Sequence, residues 1–181
     1  DVAWLHDTTL RIECAVKTCR RHQFVEGHPE KYRIVTFSNA FHGRTMTAIS
    51  ATNQDKMRGG FEPLPDWFTV LPFDDLTAVQ DFMDGPLGDS VGGFMVEPIQ
   101  GEGGFIVPAD GFLPAIVEWC RANDVVFIAD EVQSGFGRTG EPRLNGLEHV
   151  EQSLEPHRSG GEGGLHAADG GGDAVGVVEP A

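Results

Sequence analysis

Val125-Val126-Phe127-Ile128-Ala129 is an unbroken apolar run that stops abruptly at Asp130. A strand with one face in water alternates apolar and polar residues. A run without alternation has both faces covered, which is the condition of a strand inside a parallel sheet flanked by helices. Shorter strand-like segments occur at Arg33-Ile34-Val35-Thr36-Phe37, Phe68-Thr69-Val70-Leu71 and Phe94-Met95-Val96. Helical spacing lies between and before them. Ile12 to Arg21 reads as a helix, and a short one follows over Thr45–Ala51. Asp75 is placed to cap a helix carrying Leu76, Val79, Phe82 and Met83 on one side. Asp110 is placed to cap another with Phe112, Leu113, Ile116, Val117 and Cys120 at helical spacing. This alternation predicts an α/β fold built on an open, mostly parallel sheet.

In such sheets the ligand-binding groups gather just beyond the carboxyl ends of the strands. The strand at 33–37 leads into Asn39-Ala40-Phe41-His42-Gly43-Arg44, and the strand at 94–96 into Glu97-Pro98-Ile99-Gln100-Gly101-Glu102-Gly103-Gly104. The central run leads into Asp130-Glu131-Val132-Gln133. One edge therefore collects an aromatic face, carboxylates, an amide and an arginine, a set suited to a flat, nitrogenous, phosphorylated ring. Acids after strands also serve as helix caps and loop anchors, so position alone leaves a structural role open for each.

Composition removes several function classes. Lys+Arg 13 against Asp+Glu 28 gives a net charge of -15, which repels nucleic acid and anionic membranes. No apolar run reaches the length of a bilayer span, and the first residues lack the basic-then-apolar pattern of a secretory signal. Cys14, Cys19 and Cys120 form no CxxC pair and read as reduced thiols of a cytoplasmic protein. The histidines are scattered without ligand spacing, and no metal site is expected.

The chain divides into three regions. Residues 1–11 show no clear period, residues 12–140 are coherent, and residues 141–181 change character. The last region carries tracts such as Gly160-Gly161-Glu162-Gly163-Gly164 and Gly170-Gly171-Gly172-Asp173. With few large apolar residues it cannot offset its ordering entropy, so a poorly ordered or out-of-frame tail is expected.

Phe41-His42-Gly43-Arg44-Thr45, Val96-Glu97-Pro98-Ile99-Gln100-Gly101-Glu102-Gly103-Gly104 and Asp130-Glu131-Val132-Gln133-Ser134-Gly135-Phe136-Gly137-Arg138-Thr139-Gly140 resemble consecutive signatures of class III aminotransferases. They stand in that family's order with compatible spacing, and the resemblance covers residues 12–140. It implies the large domain of a fold type I enzyme, here incomplete, that works with pyridoxal 5'-phosphate as a homodimer. It implies that Asp130 pairs with the protonated pyridine nitrogen, which keeps the ring an electron sink for a substrate carbanion. Gln133 would hydrogen-bond the phenolic oxygen and Phe41 would stack on the ring face. Arg44 would meet the substrate carboxylate with its guanidinium fork. Glu102 resembles the family's gating acid. Glu97 lies near the cofactor in the family and is equally readable as structural. His42, Arg138 and Thr139 are assigned to loop geometry.

Two departures stand out. The family's phosphate-binding turn, of Asn-Ser-Gly-Thr-Glu-Ala type, is replaced by His6-Asp7-Thr8-Thr9-Leu10-Arg11. Thr9 falls where the family threonine binds phosphate, but Thr8 replaces the glycine and Asp7 adds a negative charge. The Schiff-base lysine should follow Asp130 after a Pro-Asp pair and a strand, yet no lysine occurs after Lys56. The resemblance thus implies an enzyme, and the missing lysine an inactive chain, truncated or frame-shifted. Leu71-Pro72-Phe73-Asp74-Asp75-Leu76 looks like acetylornithine aminotransferase, which moves the terminal amino group of N-acetylornithine (or ornithine) to 2-oxoglutarate in arginine biosynthesis. Gly104 to Gly111 and Val125 to Asp130 look more like 4-aminobutyrate aminotransferase. The alternative from another class is a catalytically inactive fragment.

Overall fold

Every residue of the strand Val126–Glu131 is buried, as the apolar run requires. A computed structural model describes residues 8–135 and 174–178. Five strands form one sheet in the order β2-β1-β3-β4-β5, where β1 is Arg33–Phe37, β2 Phe68–Leu71, β3 Val91–Val96, β4 Val126–Glu131 and β5 Ala174–Val178. The pairs β1·β2, β1·β3 and β3·β4 are parallel. The fifth strand runs antiparallel to β4, from Phe127↔Val178 to Glu131↔Ala174. It lies within the stretch expected to be poorly ordered. Its sequence, Ala-Val-Gly-Val-Val, is rich in β-branched residues that suit a strand edge.

Helices connect the parallel strands: α1 Thr8–Val25 precedes β1, α2 Met46–Ala51 and α3 Asp55–Arg58 lie between β1 and β2, α4 Leu76–Met83 between β2 and β3, and α5 Phe112–Ala122 between β3 and β4. Side-chain alternation along the strands sorts the core into two layers. Val35, Phe37, Phe94, Val96, Phe127 and Ala129 pack toward α4 and α5. Ile34, Met95, Val126 and Ile128 pack with Ile12, Ala15, Val16 and Cys19 of α1 and Ala48 and Ala51 of α2. By the same alternation Asp130, two residues beyond Ile128, belongs to the α1 layer. Aromatic edges lock the other layer, with Phe112 T-shaped against Phe37 at 5.5 Å and against Phe73 at 5.3 Å.

Several element boundaries differ from expectation. The first helix extends over Thr8–Val25 instead of 12–21, because Gln23 near its end is buried and its amide donates to Gly92 O and Asp124 O. The third strand begins at Val91; Gly92 and Gly93 hid its start, since glycine carries no strand signal. Asp75 caps α4 as expected, accepting from Ala78 N at 2.9 Å. Asp110 does not cap α5. The N-cap is Gly111 at φ 99°, a left-handed conformation that glycine takes at little cost, and no side chain bonds the helix end.

The glycine pair lets α1 and the preceding loop come close to the sheet. A Cβ on Gly92 would lie 2.2 Å from Lys31 O, which is backbone and cannot give way. We expect Gly92→Ala to cost roughly 2 kcal/mol in urea unfolding. Gly59→Ala, whose Cβ would meet Asp55 O at an ordinary 3.6 Å, should change stability by less than about 0.5 kcal/mol.

Candidate active site

Strand order reverses at β1: the chain steps outward to β2 and then returns to place β3 on the other side of β1. A crevice opens at such a reversal beyond the carboxyl ends of the two central strands. Here the loop after β1 meets the loop after β3. Glu97, 4% exposed, accepts from Phe41 N at 2.9 Å through Oε2 and from Gly101 N at 3.3 Å through Oε1. Gln100, equally buried, donates from Nε2 to Ser38 O at 2.7 Å. Its backbone pairs with Ile106 and closes the Gly-rich turn between them. The loop at Phe41 is pinned from the other side by His42 N donating to Thr52 Oγ1 at 3.0 Å.

The third contributor is β4. Asp130 Oδ2 lies 2.7 Å from His42 Nδ1, and both side chains are almost wholly buried. Asp130 Oδ1 accepts from Val132 N at 3.2 Å, an Asx-type turn that bends the chain out of the strand. Beyond it the Gln133 amide sits against Gly101. A Cβ on Gly101 would lie 2.0 Å from Gln133 Oε1, so the glycine is the space the amide occupies. His42 Nε2 is buried without a hydrogen-bond partner.

Of the residues singled out from sequence, the structure gathers Phe41, Asp130 and Gln133 around Glu97, Gly101 and His42. Arg44 is exposed, with its guanidinium carbon 5.7 Å from the Phe41 ring centroid. Glu102 is exposed in the turn after Gly101, and none of the hydrogen bonds or ion pairs among the described residues involves its side chain. Thr9 lies in the first turn of α1, and its side chain is outside the described residues, as are Arg138 and Thr139. His42 is the residue sequence reasoning misread. Assigned to loop geometry, it is instead the buried partner of Asp130. Its position next to Phe41 at a strand end was the only signal available, because the contact spans β1 to β4.

The electrostatics follow from burial. Burial opposes a charged imidazole at His42, but the hydrogen bond and charge of Asp130, with the charge of Glu97 added, outweigh it and raise its pKa above the ordinary 6.5. The Glu97 carboxyl is raised above its ordinary 4.5, first by burial; the charge of His42 and the Phe41 and Gly101 N–H groups oppose the rise, and Asp130 adds to it. The edge therefore holds more protons folded than unfolded. A protonated His42 donates to Asp130 and leaves lone pairs on the carboxyl group for a further donor. Among the described residues no group of three or more His, Cys, Asp or Glu could hold a metal ion, and no helix is long and apolar enough to cross a membrane.

Raised folded pKa values at His42 and Glu97 give stability that is present in acid and lost as pH rises through them. We expect the urea midpoint to fall as pH rises above about 4.5 for the Glu97 part and above about 6.5 for the His42 part. In His42→Gln the part of that fall due to the imidazole should vanish. An equal fall in both proteins would show that His42 does not gain proton affinity on folding.

The Aminotransferase class-III family model matches residues 8–153. Acetylornithine aminotransferase of Agrobacterium fabrum is 45% identical over 130 residues, which is 72% of this chain and 32% of that protein. Ornithine aminotransferase of an Exiguobacterium species is 42% identical over 131 residues, again 72% of this chain and 32% of the relative. The chain thus spans about a third of the length of the curated relatives it matches. A crystal structure of the ornithine aminotransferase from Toxoplasma gondii, with PLP partially occupying its active site, superposes with a TM-score of 0.74 at 27% identity, covering 99% of this chain and 40% of that one. Sequence match, fold and the joined strand ends agree: the chain belongs to the class III aminotransferases.

Proposed function

We propose that this chain is the core of the cofactor site of an acetylornithine-type aminotransferase, and that pyridoxal 5'-phosphate sits at the crevice between the ends of β1, β3 and β4. The observation that carries the reading is the buried His42–Asp130 pair at that edge. A buried carboxyl group fixed by His42, with lone pairs to spare, fits the protonated nitrogen of a pyridine ring. The space left by Gly101 for the Gln133 amide supports the same fit.

When bound, the cofactor supplies an electron sink for the carbanion of the amino donor. The chain's own residues supply its setting. Asp130 would accept from the ring nitrogen and hold its proton there, and His42 holds the carboxyl group in place. Gln133 orients the ring from the side of its phenolic oxygen. Phe41 covers a face and excludes water. Arg44, which lies over Phe41, binds the carboxylate of N-acetylornithine or 2-oxoglutarate with two parallel hydrogen bonds. Glu102, free in its turn, is the acid that adjusts the site between the two substrates. Thr9 and the first turn of α1 serve the phosphate.

The relatives' names support acetylornithine or ornithine over 4-aminobutyrate as amino donor; we read the whole protein as a cytoplasmic homodimer that passes the amino group to 2-oxoglutarate in arginine biosynthesis. The sequence holds no lysine after Lys56. The amine that would anchor the cofactor and move the proton between carbons is therefore not in this chain. We read the chain as a cofactor-binding piece without turnover.

Mixing the purified chain with pyridoxal 5'-phosphate should give saturable binding that Asp130→Ala weakens about tenfold or more. Borohydride should fix no stoichiometric adduct, and N-acetylornithine with 2-oxoglutarate should yield no glutamate. Binding indifferent to Asp130→Ala would remove the cofactor reading. Turnover would remove the reading of an inactive piece.

A further inference from the structure

Glu97 is the first residue beyond β3 and is 4% exposed, yet none of the roles given above to the strand-end residues belongs to it. Burial raises its carboxyl pKa above the ordinary 4.5, a sign that a charge is costly to hold there. The charge of His42 opposes the rise, and that of Asp130 adds to it. For packing alone an apolar side chain of similar volume would serve as well or better. The use of a carboxylate therefore lies in what its two oxygens hold.

Each oxygen holds a different loop. Oε2 accepts from Phe41 N at 2.9 Å and Oε1 from Gly101 N at 3.3 Å. Among the described residues no backbone carbonyl accepts from either N–H. Phe41 carries one of the two side chains that touch the ring in the cofactor reading. Gly101 is the seat of the other, since a Cβ there would lie 2.0 Å from Gln133 Oε1 and 2.4 Å from its Cδ. Glu97 thus stands between Phe41 and Gln133, tied toward each through one backbone N–H. A carboxylate suits this place because it offers two acceptors and no donor. Glutamine offers one acceptor, and its NH2 would confront the second N–H.

We propose that Glu97 is a positioning residue for the ring, fixing the spacing between Phe41 and Gln133 through the backbone N–H groups of Phe41 and Gly101. The identity of the ring rests on the cofactor reading above; the tie between the two loops does not.

Two measurements on the full chain test it. In the ligand-free protein, amide hydrogen exchange at Phe41 and Gly101 should quicken about tenfold or more in Glu97→Leu, with Ala78 N–H in α4 unchanged. Glu97→Gln, which keeps one acceptor, should fall between native and Leu. In spectroscopic titration with pyridoxal 5'-phosphate, Glu97→Leu should bind about tenfold more weakly than the native chain, and Glu97→Gln should recover part of the loss. In a chain already carrying Phe41→Leu and Gln133→Ala, Glu97→Leu should change binding less than about twofold, because the residues it acts through are gone. The proposal is overturned if exchange at either amide stays native, if Glu97→Leu binds like the native chain, or if it loses as much in the doubly substituted chain. Should neither Glu97 variant fold, the native chain decides. The Phe41 and Gly101 N–H resonances should then shift together in one proton titration, and titration at separate pH values overturns the proposal. Quickened exchange at both amides, with cofactor binding indifferent to Asp130→Ala, keeps Glu97 as the tie between the loops and removes the cofactor reading instead.

Discussion

One contact spans the sheet. His42 Nδ1 meets Asp130 Oδ2 at 2.7 Å and joins the loop after β1 to the end of β4, with β3 between them. Both partners are buried, so neither can be satisfied by water, and a broken contact would strand a carboxylate and an imidazole inside the protein. The strand ends are held together at the point where the sheet order reverses, and the geometry of the crevice follows. Glu97 adds a second cross-link from β3 to the same loop through Phe41 N, so the ends of β3 and β4 are both tied to the loop after β1.

The polar groups at this edge are organised by backbone as much as by side chains. Glu97 and Gln100 spend their bonding capacity on Phe41 N, Gly101 N and Ser38 O, which shapes the loops before any ligand is present. Gly101 contributes by absence, since its missing side chain is where the Gln133 amide lies. Fixed loops of this kind suit a rigid planar ligand, because the ordering cost is met in folding and not in binding. Arg44, near the Phe41 ring, and Glu102, in the turn after Gly101, are both exposed.

Membership of the class III aminotransferases and the absence of a lysine after Lys56 pull in opposite directions. His42, Glu97, Asp130 and Gln133 are assembled at the strand ends, while the sequence holds no lysine after Lys56.

The alternation of strands and helices was legible in the sequence because burial on both faces writes itself as uninterrupted apolar residues, as in Val125 to Ala129, and because Asp75 caps its helix through a local bond. Strand-end residues were legible as candidates for the same reason: Phe41, Glu97, Asp130 and Gln133 follow directly on readable strands. Residues whose partners are distant in the chain were not. His42 carries no local mark of its bond to Asp130, 88 residues away, and Gln23 none of its bond to Asp124 O, 101 residues away. Gly92 and Gly93 silenced the start of β3, and a left-handed glycine displaced Asp110 as cap. The sequence by itself determined which segments are strands and which residues stand at their ends, since those depend on local periodicity. Only the tertiary structure decided which of those residues meet, because a hydrogen bond across a parallel sheet depends on strand order, and strand order is written nowhere in local spacing.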